Sequence, residues 1–259
     1  MRSIKHISII GSGNVATHLG SSLFDKGLVI DAVYSRKISR SRKLASKLKA
    51  KACSKFSQLK SDSDLYLIAV SDDAIAEVSA QLVKVIDTKA IVAHTSGSVS
   101  STALETANTG VFYPLQSFSL DRKLDISTVP FCIHSKETRI EKLLLALARK
   151  LSKKVYKIND TKRAALHLAA VFSSNFSNHM YHLAADICEE NKVDFDILKP
   201  LIIETAAKIK DATPNEMQTG PACRDDKQTM AKHLKKLTKN KSSKDIYKLV
   251  SKNIRSQYQ

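Results

Sequence analysis

The sequence predicts an α/β protein whose mostly parallel sheet occupies residues 1–158 and is followed by an all-helical domain over residues 159–259. Three observations predict it: short β-branched runs alternate with helix-length segments as far as Ile158, the strand signal stops there, and a glycine-punctuated loop follows the first run. The runs are "ISII" (Ile7 to Ile10), "LVIDAVY" (Leu28 to Tyr34), "DLYLIAV" (Asp64 to Val70), "AIVAHTS" (Ala90 to Ser96), "GVFYPL" (Gly110 to Leu115), "VPFCIH" (Val129 to His134) and "KKVYKI" (Lys153 to Ile158). Near-continuous apolar strands separated by crossovers belong to parallel sheets covered on both faces. Val15 to Lys26 and Asp73 to Val85 read as crossover helices, and "TALE", Thr102 to Glu105, has the form of a capping box. From near Asp160 one long helix is predicted, with Ala165, Leu168, Phe172, Phe176, Met180, Leu183 and Ile187 at helical spacing. Further helices are predicted over Phe195 to Lys210, Asp225 to Leu237 and Ser243 to Ile254.

Cys53, Cys132, Cys188 and Cys223 are far apart and form no CxxC pair, so neither a zinc site nor a disulfide framework is indicated. Reduced thiols, no signal-peptide pattern and no apolar run long enough for a membrane span together predict a cytoplasmic protein without a metal. With 42 Lys+Arg against 25 Asp+Glu the formal charge is +17, which favours anionic partners. Nucleic acid is the less favoured of these. The tail "KHLKKLTKNKSSKDIYKLVSKNIR" is basic, but it carries only Tyr247 for stacking and no recognised readout motif.

Strand "ISII", loop "GSGNVA" and helix "VATHLGSSLF" form the strand-turn-helix that a dinucleotide fingerprint requires. Gly11 allows the tight turn, Gly13 lets the backbone approach a pyrophosphate, and Ala16 permits close helix-strand packing. Ser12, Asn14 and Val15 complete the candidate phosphate loop, whose N–H groups face the ligand. The second strand of an NAD site commonly ends in an acid. Here Ser35 and Arg36 take that place, and between Ala32 and Ser61 there are ten Lys/Arg and no Asp or Glu. Arg36 can grip a 2′-phosphate that a carboxylate would repel, so NADP(H) is the predicted cofactor of a Rossmann-type domain. A methyltransferase is disfavoured because Ile9, Ile10 and Ser35 supply none of its acids.

Ligands of an open parallel sheet bind beyond the carboxyl ends of the strands. Ala69, Val70 and Ser71 end one strand, and Thr95 and Ser96 another; all five are candidate cofactor contacts. His94 is a candidate proton donor or carbonyl-polarising group. Gly97 and Ser98 extend the polar cradle, Ser98 toward substrate. On the long helix His167 and Ser174 share one line, Asn175 and His182 a second, and Asn178 lies close by. His167 and Asn175 are the members placed at the cleft and at the chemistry. Near the C-terminus Gly220 and Pro221 make a turn, Asp225 or Asp226 starts a helix, and Arg224 is a candidate contact for an anionic substrate.

Through "IIGSGNVATHL", "AVSDDAI", "HTSGSVS", "FYPLQSFS", "LHLAAVFSSNF", "LKPLIIETA" and "QTGPACRDD" the chain resembles, over nearly its whole length, a family of Rossmann proteins with a helical C-terminal domain of unknown function. That family is similar in layout to ketopantoate reductase, pyrroline-5-carboxylate reductase and the β-hydroxyacid dehydrogenases. The resemblance implies NAD(P)-dependent reduction of a small carbonyl or imine acid, and homodimers packed through the helical domain. The β-hydroxyacid dehydrogenases place a catalytic Lys four residues before an Asn, whereas Val171 stands four residues before Asn175. His94 or His167 must then supply any proton. The expected activity is NADPH-dependent reduction of a small anionic 2-oxo or imino acid, a ketopantoate-like compound first, with a non-catalytic NADPH sensor as the alternative.

Overall fold

The computed structural model describes residues 3–106, 108–238 and 240–258. Its strands are β1 (His6–Ile10), β2 (Val29–Tyr34), β3 (Lys51–Cys53), β4 (Leu65–Ile68), β5 (Ile91–His94), β6 (Thr109–Pro114), β7 (Phe131–His134) and β8 (Val155–Lys157). They form one sheet in the order β3-β2-β1-β4-β5-β6-β7-β8. All neighbours are parallel except β6 with β7.

Alternation along the central strands assigns side chains to the two faces. Ile7, Ile9, Leu65 and Leu67 join Leu19 and Leu23 of α1 (Asn14–Asp25), Leu44 and Leu48 of α2 (Ile38–Leu48), and Leu144 and Leu147 of α4 (Thr138–Leu151). Ile10, Tyr66 and Ile68 face the other way, onto Ile75 and Leu82 of α3 (Ile75–Leu82). Each such Leu or Ile removed from water contributes about 1.5 to 3 kcal/mol. The sheet is therefore held from both sides, and the ends of its parallel strands are fixed in place.

Two expectations are corrected. Strand β3 was not predicted: α2 ends at Leu48, Lys49 turns the chain at φ 52°, and three residues pair with β2. A strand this short, with only Cys53 buried, leaves no alternation to read. "TALE" does not start a helix; Ser100 instead caps a short 3-10 turn over Ser101–Ala103 by accepting from the Thr102 N–H.

After β8, Asn159 caps α5 (Asp160–Ala170) by accepting from the Lys162 N–H at 3.0 Å. The expected single long helix is interrupted by a π-helical turn, Val171–Phe176, before α6 (Ser177–Glu190). A π turn shifts the angular register, so the lines drawn through His167 and Ser174, and through Asn175 and His182, do not continue across it. The chain divides into two compact units, residues 1–175 and 176–259. In the second, α6 is followed by α7 (Lys199–Lys208), α8 (Lys227–Lys236) and α9 (Lys241–Tyr258). Asp226 starts α8 by accepting from the Thr229 N–H at 2.9 Å. Among the described residues no helix is long and apolar enough to cross a membrane, and no His/Cys/Asp/Glu group is placed to hold a metal.

Candidate active site

The turn after β1 is built from backbone. Gly11 has φ 133°, and a Cβ there would lie 2.1 Å from the Ala69 carbonyl oxygen. Its N–H donates to the Tyr34 carbonyl at 2.9 Å, while the Ala69 N–H donates to Ile10 at 2.8 Å. The ends of β1, β2 and β4 are thereby brought within one hydrogen bond of each other. Gly13 caps α1 without a side-chain hydrogen bond, the first turn carries no acid, and the space over its Cα is open. Fully buried Ala16 lets α1 approach the sheet as expected. The Asn14 amide is spent on the Phe118 carbonyl at 2.8 Å, and His18 Nε2 meets the Ser119 carbonyl at 2.9 Å. Asn14 thus keeps its backbone N–H and one side-chain N–H for a phosphate. Val15 and Val70 are half-buried against the core, and Ser71 is exposed.

At the rim of this turn the Ser12 hydroxyl donates to Ser35 at 3.0 Å. Ser35 is buried, and its N–H is held by the Cys53 carbonyl. Arg36 is exposed and enters no ion pair among the described residues. These residues fit NADP(H): free helix N–H groups and open space for the pyrophosphate, and a serine and an arginine where an acid would reject a 2′-phosphate.

The loop after β5 is built from side chains. The Thr95 N–H and hydroxyl both donate to the Ile68 carbonyl. His94 is 0% exposed, and its Nδ1 accepts from the Ser96 N–H at 3.2 Å. Burial, reinforced by the Arg163 guanidinium, lowers the His94 pKa to about 4. The ring is neutral at physiological pH and sealed from solvent. Through its bond to the Ser96 N–H the neutral ring anchors the loop, and to act as the expected proton donor it would have to be charged against this burial. The Ser96 hydroxyl accepts from the N–H groups of Ser98 and Val99, and the Ser98 hydroxyl donates to Asp72. Ser98 therefore has no proton left for a substrate anion.

Helix α5 closes over this loop. Asp160, Arg163 and His167 are spaced i, i+3, i+7 and share one face. Asp160 accepts from the Ser100 hydroxyl at 2.7 Å and from the Ser101 N–H and hydroxyl at 2.8 and 2.9 Å. Burial alone would raise its carboxyl, but these bonds and Arg163 hold it well below the usual carboxylate range. Arg163, 0% exposed, donates to Asp160 at 2.7 Å and to the Val99 carbonyl. His167 Nδ1 meets the Tyr113 hydroxyl at 3.0 Å.

The structure thus gathers Gly11, Ser12, Gly13, Ser35, Arg36 and Ala69 around one turn, and His94, Thr95, Ser96, Ser98 and His167 around another. Asn175 lies exposed in the π turn, with no hydrogen bond to the other candidates. Arg224 is exposed on its turn in the helical unit, near Asp226, whose carboxyl is held down chiefly by Thr229. Sequence reasoning passed over Tyr113, Asp72, Asp160 and Arg163. The i, i+3, i+7 spacing of the last two with His167 was the signal that could have found them.

Residues 6–97 match the family described as NADP oxidoreductase, coenzyme F420-dependent. Residues 129–254 match a domain of unknown function, DUF2520. No curated protein matches the sequence. Among solved structures, the "putative NADP oxidoreductase BF3122" of Bacteroides fragilis is 38% identical, covers 97% of this chain and 98% of its own, and superposes with a TM-score of 0.92. Protein TM1727 of Thermotoga maritima is 26% identical over 96% of this chain and 98% of its own, with a TM-score of 0.80. An imine reductase of Myxococcus stipitatus in complex with NADP+ shares the fold at 12% identity and a TM-score of 0.69, over 97% and 92% of the two chains. Fold and glycine turn define a dinucleotide-binding protein of the oxidoreductase class. Within that class, the chain belongs to the family of NADP oxidoreductases that carry a DUF2520 domain, and its cofactor is NADP(H).

Proposed function

We propose that the protein reduces the C=O or C=N bond of a small anionic 2-oxo or imino acid with NADPH. The observation that carries this reading is His167. One ring nitrogen is held by Tyr113, the other has no partner among the described residues, and the ring lies against the loop at the end of β5. Bound NADPH supplies a hydride. The turn at Gly11 to Val15 holds the pyrophosphate, Ser35 and Arg36 hold the 2′-phosphate, and Ala69, Val70, Ser71, Thr95 and Ser96 line the way to the reacting end. His167 Nε2 delivers the proton to the heteroatom of the substrate, and Asn175 and Arg224 are held as candidate substrate contacts. The carboxylate of Asp72, bonded to Ser98, favours the imino arm, because it stabilises the cationic C=N–H that forms as His167 gives up its proton more than it stabilises a neutral C=O.

The +17 charge supports steering of an anionic substrate. The exposed Ile197, Leu201, Ile203 and Ile209 of the helical unit support a homodimer, which a monomer mass by light scattering would refute. Four free cysteines support a cytoplasmic protein. Screening 2-oxo acids and cyclic imino acids for NADPH oxidation tests the activity. Turnover in one class establishes it, whereas tight NADPH binding without turnover anywhere leaves a non-catalytic sensor.

A further inference from the structure

We infer that Tyr113 is the positioning residue of His167, holding Nδ1 so that Nε2 is the nitrogen presented for reaction. The chemistry rests on the reductase reading; the geometry does not. Tyr113 is 8% exposed at the end of β6, and its hydroxyl meets His167 Nδ1 at 3.0 Å with the two rings edge to face. Burial lifts the phenol to about 12, so it keeps its proton throughout the physiological range. Toward a neutral imidazole the hydroxyl donates to Nδ1, which leaves the ring proton on Nε2. Toward an imidazolium the phenol oxygen accepts from Nδ1–H, and Nε2 again carries a proton. Both charge states keep the same ring orientation.

The backbone at Gly97 encloses the pair. A Cβ there would stand 2.6 Å from His167 Nδ1 and 2.7 Å from Tyr113 Cζ, so only glycine lets the loop pass this close to the hydrogen bond. The helix that carries His167 is fixed against the same loop by Asp160 and Arg163. In the reduction, hydride adds to the carbon of the C=O or C=N bond while the Nε2–H bond breaks and its proton joins the heteroatom. The imidazolium becomes an imidazole whose Nδ1–H donates to Tyr113, and solvent returns a proton to Nε2.

Long-range 1H–15N correlation spectra of the 15N-labelled protein, at a pH where the histidines are neutral, test the pair without a substrate. Wild type should show His167 as the Nε2–H form with an Nδ1 signal displaced by hydrogen bonding. Tyr113→Phe should move that signal to the position of an unbonded ring nitrogen and leave the other histidines in place; an unmoved signal overturns the inference. Should Tyr113→Phe disturb every histidine, Gly97→Ala, which keeps the phenol, must still displace the His167 Nδ1 signal, and no displacement overturns it equally. With a substrate in hand, Tyr113→Phe should lower kcat about tenfold at unchanged KM and NADPH affinity. It should have no further effect in a His167→Ala background, whereas a second, additive loss there would show that Tyr113 acts through folding.

Discussion

The turn after β1 and the loop after β5 cap parallel strands of the same sheet, yet they are built in opposite ways. The turn is closed by main-chain bonds and by a glycine pressed on the Ala69 carbonyl, and among the described residues it leaves helix N–H groups and the exposed Arg36 without internal partners. The loop is closed by side chains bonded to one another and to its backbone, with Arg163 at 0% exposure among them, and His94 Nε2 and Arg163 Nε stay buried there without a partner among the described residues. Two arginines thus mark two kinds of construction, one exposed at the rim of the turn and one buried in the fold. A surface that must bind leaves its unsatisfied groups within reach of solvent; the scaffold that holds the histidine keeps the few it has buried.

The sharpest way to break this contrast is Asp160→Asn. It leaves a fully buried guanidinium without its countercharge, which should cost about 3 to 5 kcal/mol in urea unfolding. Pairing it with Arg163→Met should recover much of that loss, since an apolar side chain needs no partner. A cost below about 1 kcal/mol would place Arg163 outside the scaffold.

Acid provides the next test. The folded pKa of His94, about 4, is depressed below its unfolded value near 6.5. The folded state therefore binds fewer protons, and the stability contributed by the neutral ring is full above about pH 6.5 and lost as pH falls through about 4. The integrated loss approaches about 3 kcal/mol. Unfolding midpoints of wild type should fall through this window, and those of His94→Asn should fall less. Parallel pH profiles would show that the ring is not sealed in the folded protein.

The smallest effect belongs to the exposed arginine, Arg36. Arg36→Ala should leave the unfolding midpoint unchanged and weaken NADPH binding by about one to two orders of magnitude, with NADH little affected, because a hydrogen bond to a charged group is worth roughly 1.5 to 3 kcal/mol. Calorimetry with both cofactors measures the difference. Equal losses for NADPH and NADH, or a large drop in stability, would dissolve the distinction between the two arginines.

The same contrast explains what could be read in advance. That Gly11, Gly13, Ser35 and Arg36 meet at one turn was legible because a backbone-built turn is encoded within a few residues of itself and of the next strand. The strands were legible where their runs exceed a few residues, and β3 was not, because "KAC" is too short and too polar. The Tyr113–His167 pair joins residues 54 apart, and the Arg163–Val99 bond residues 64 apart. No local pattern specifies such partners; they follow from the antiparallel turn of β6 into β7 and the return of the chain through β8 into α5. The π turn escaped for a related reason: the apolar spacing across Val171–Phe176 is compatible with an unbroken α-helix.

The uncapped start of α1 couples the lifetime of the chain to the supply of its cofactor. Among the described residues no side chain caps the first N–H groups of that helix, so on the proposed reading a bound pyrophosphate would complete it, and would do so only in the folded protein. By mass action, free NADP(H) at a hundred times its dissociation constant adds about 2.7 kcal/mol to folding. Melting temperatures should climb with cofactor concentration well past the point where the site is full.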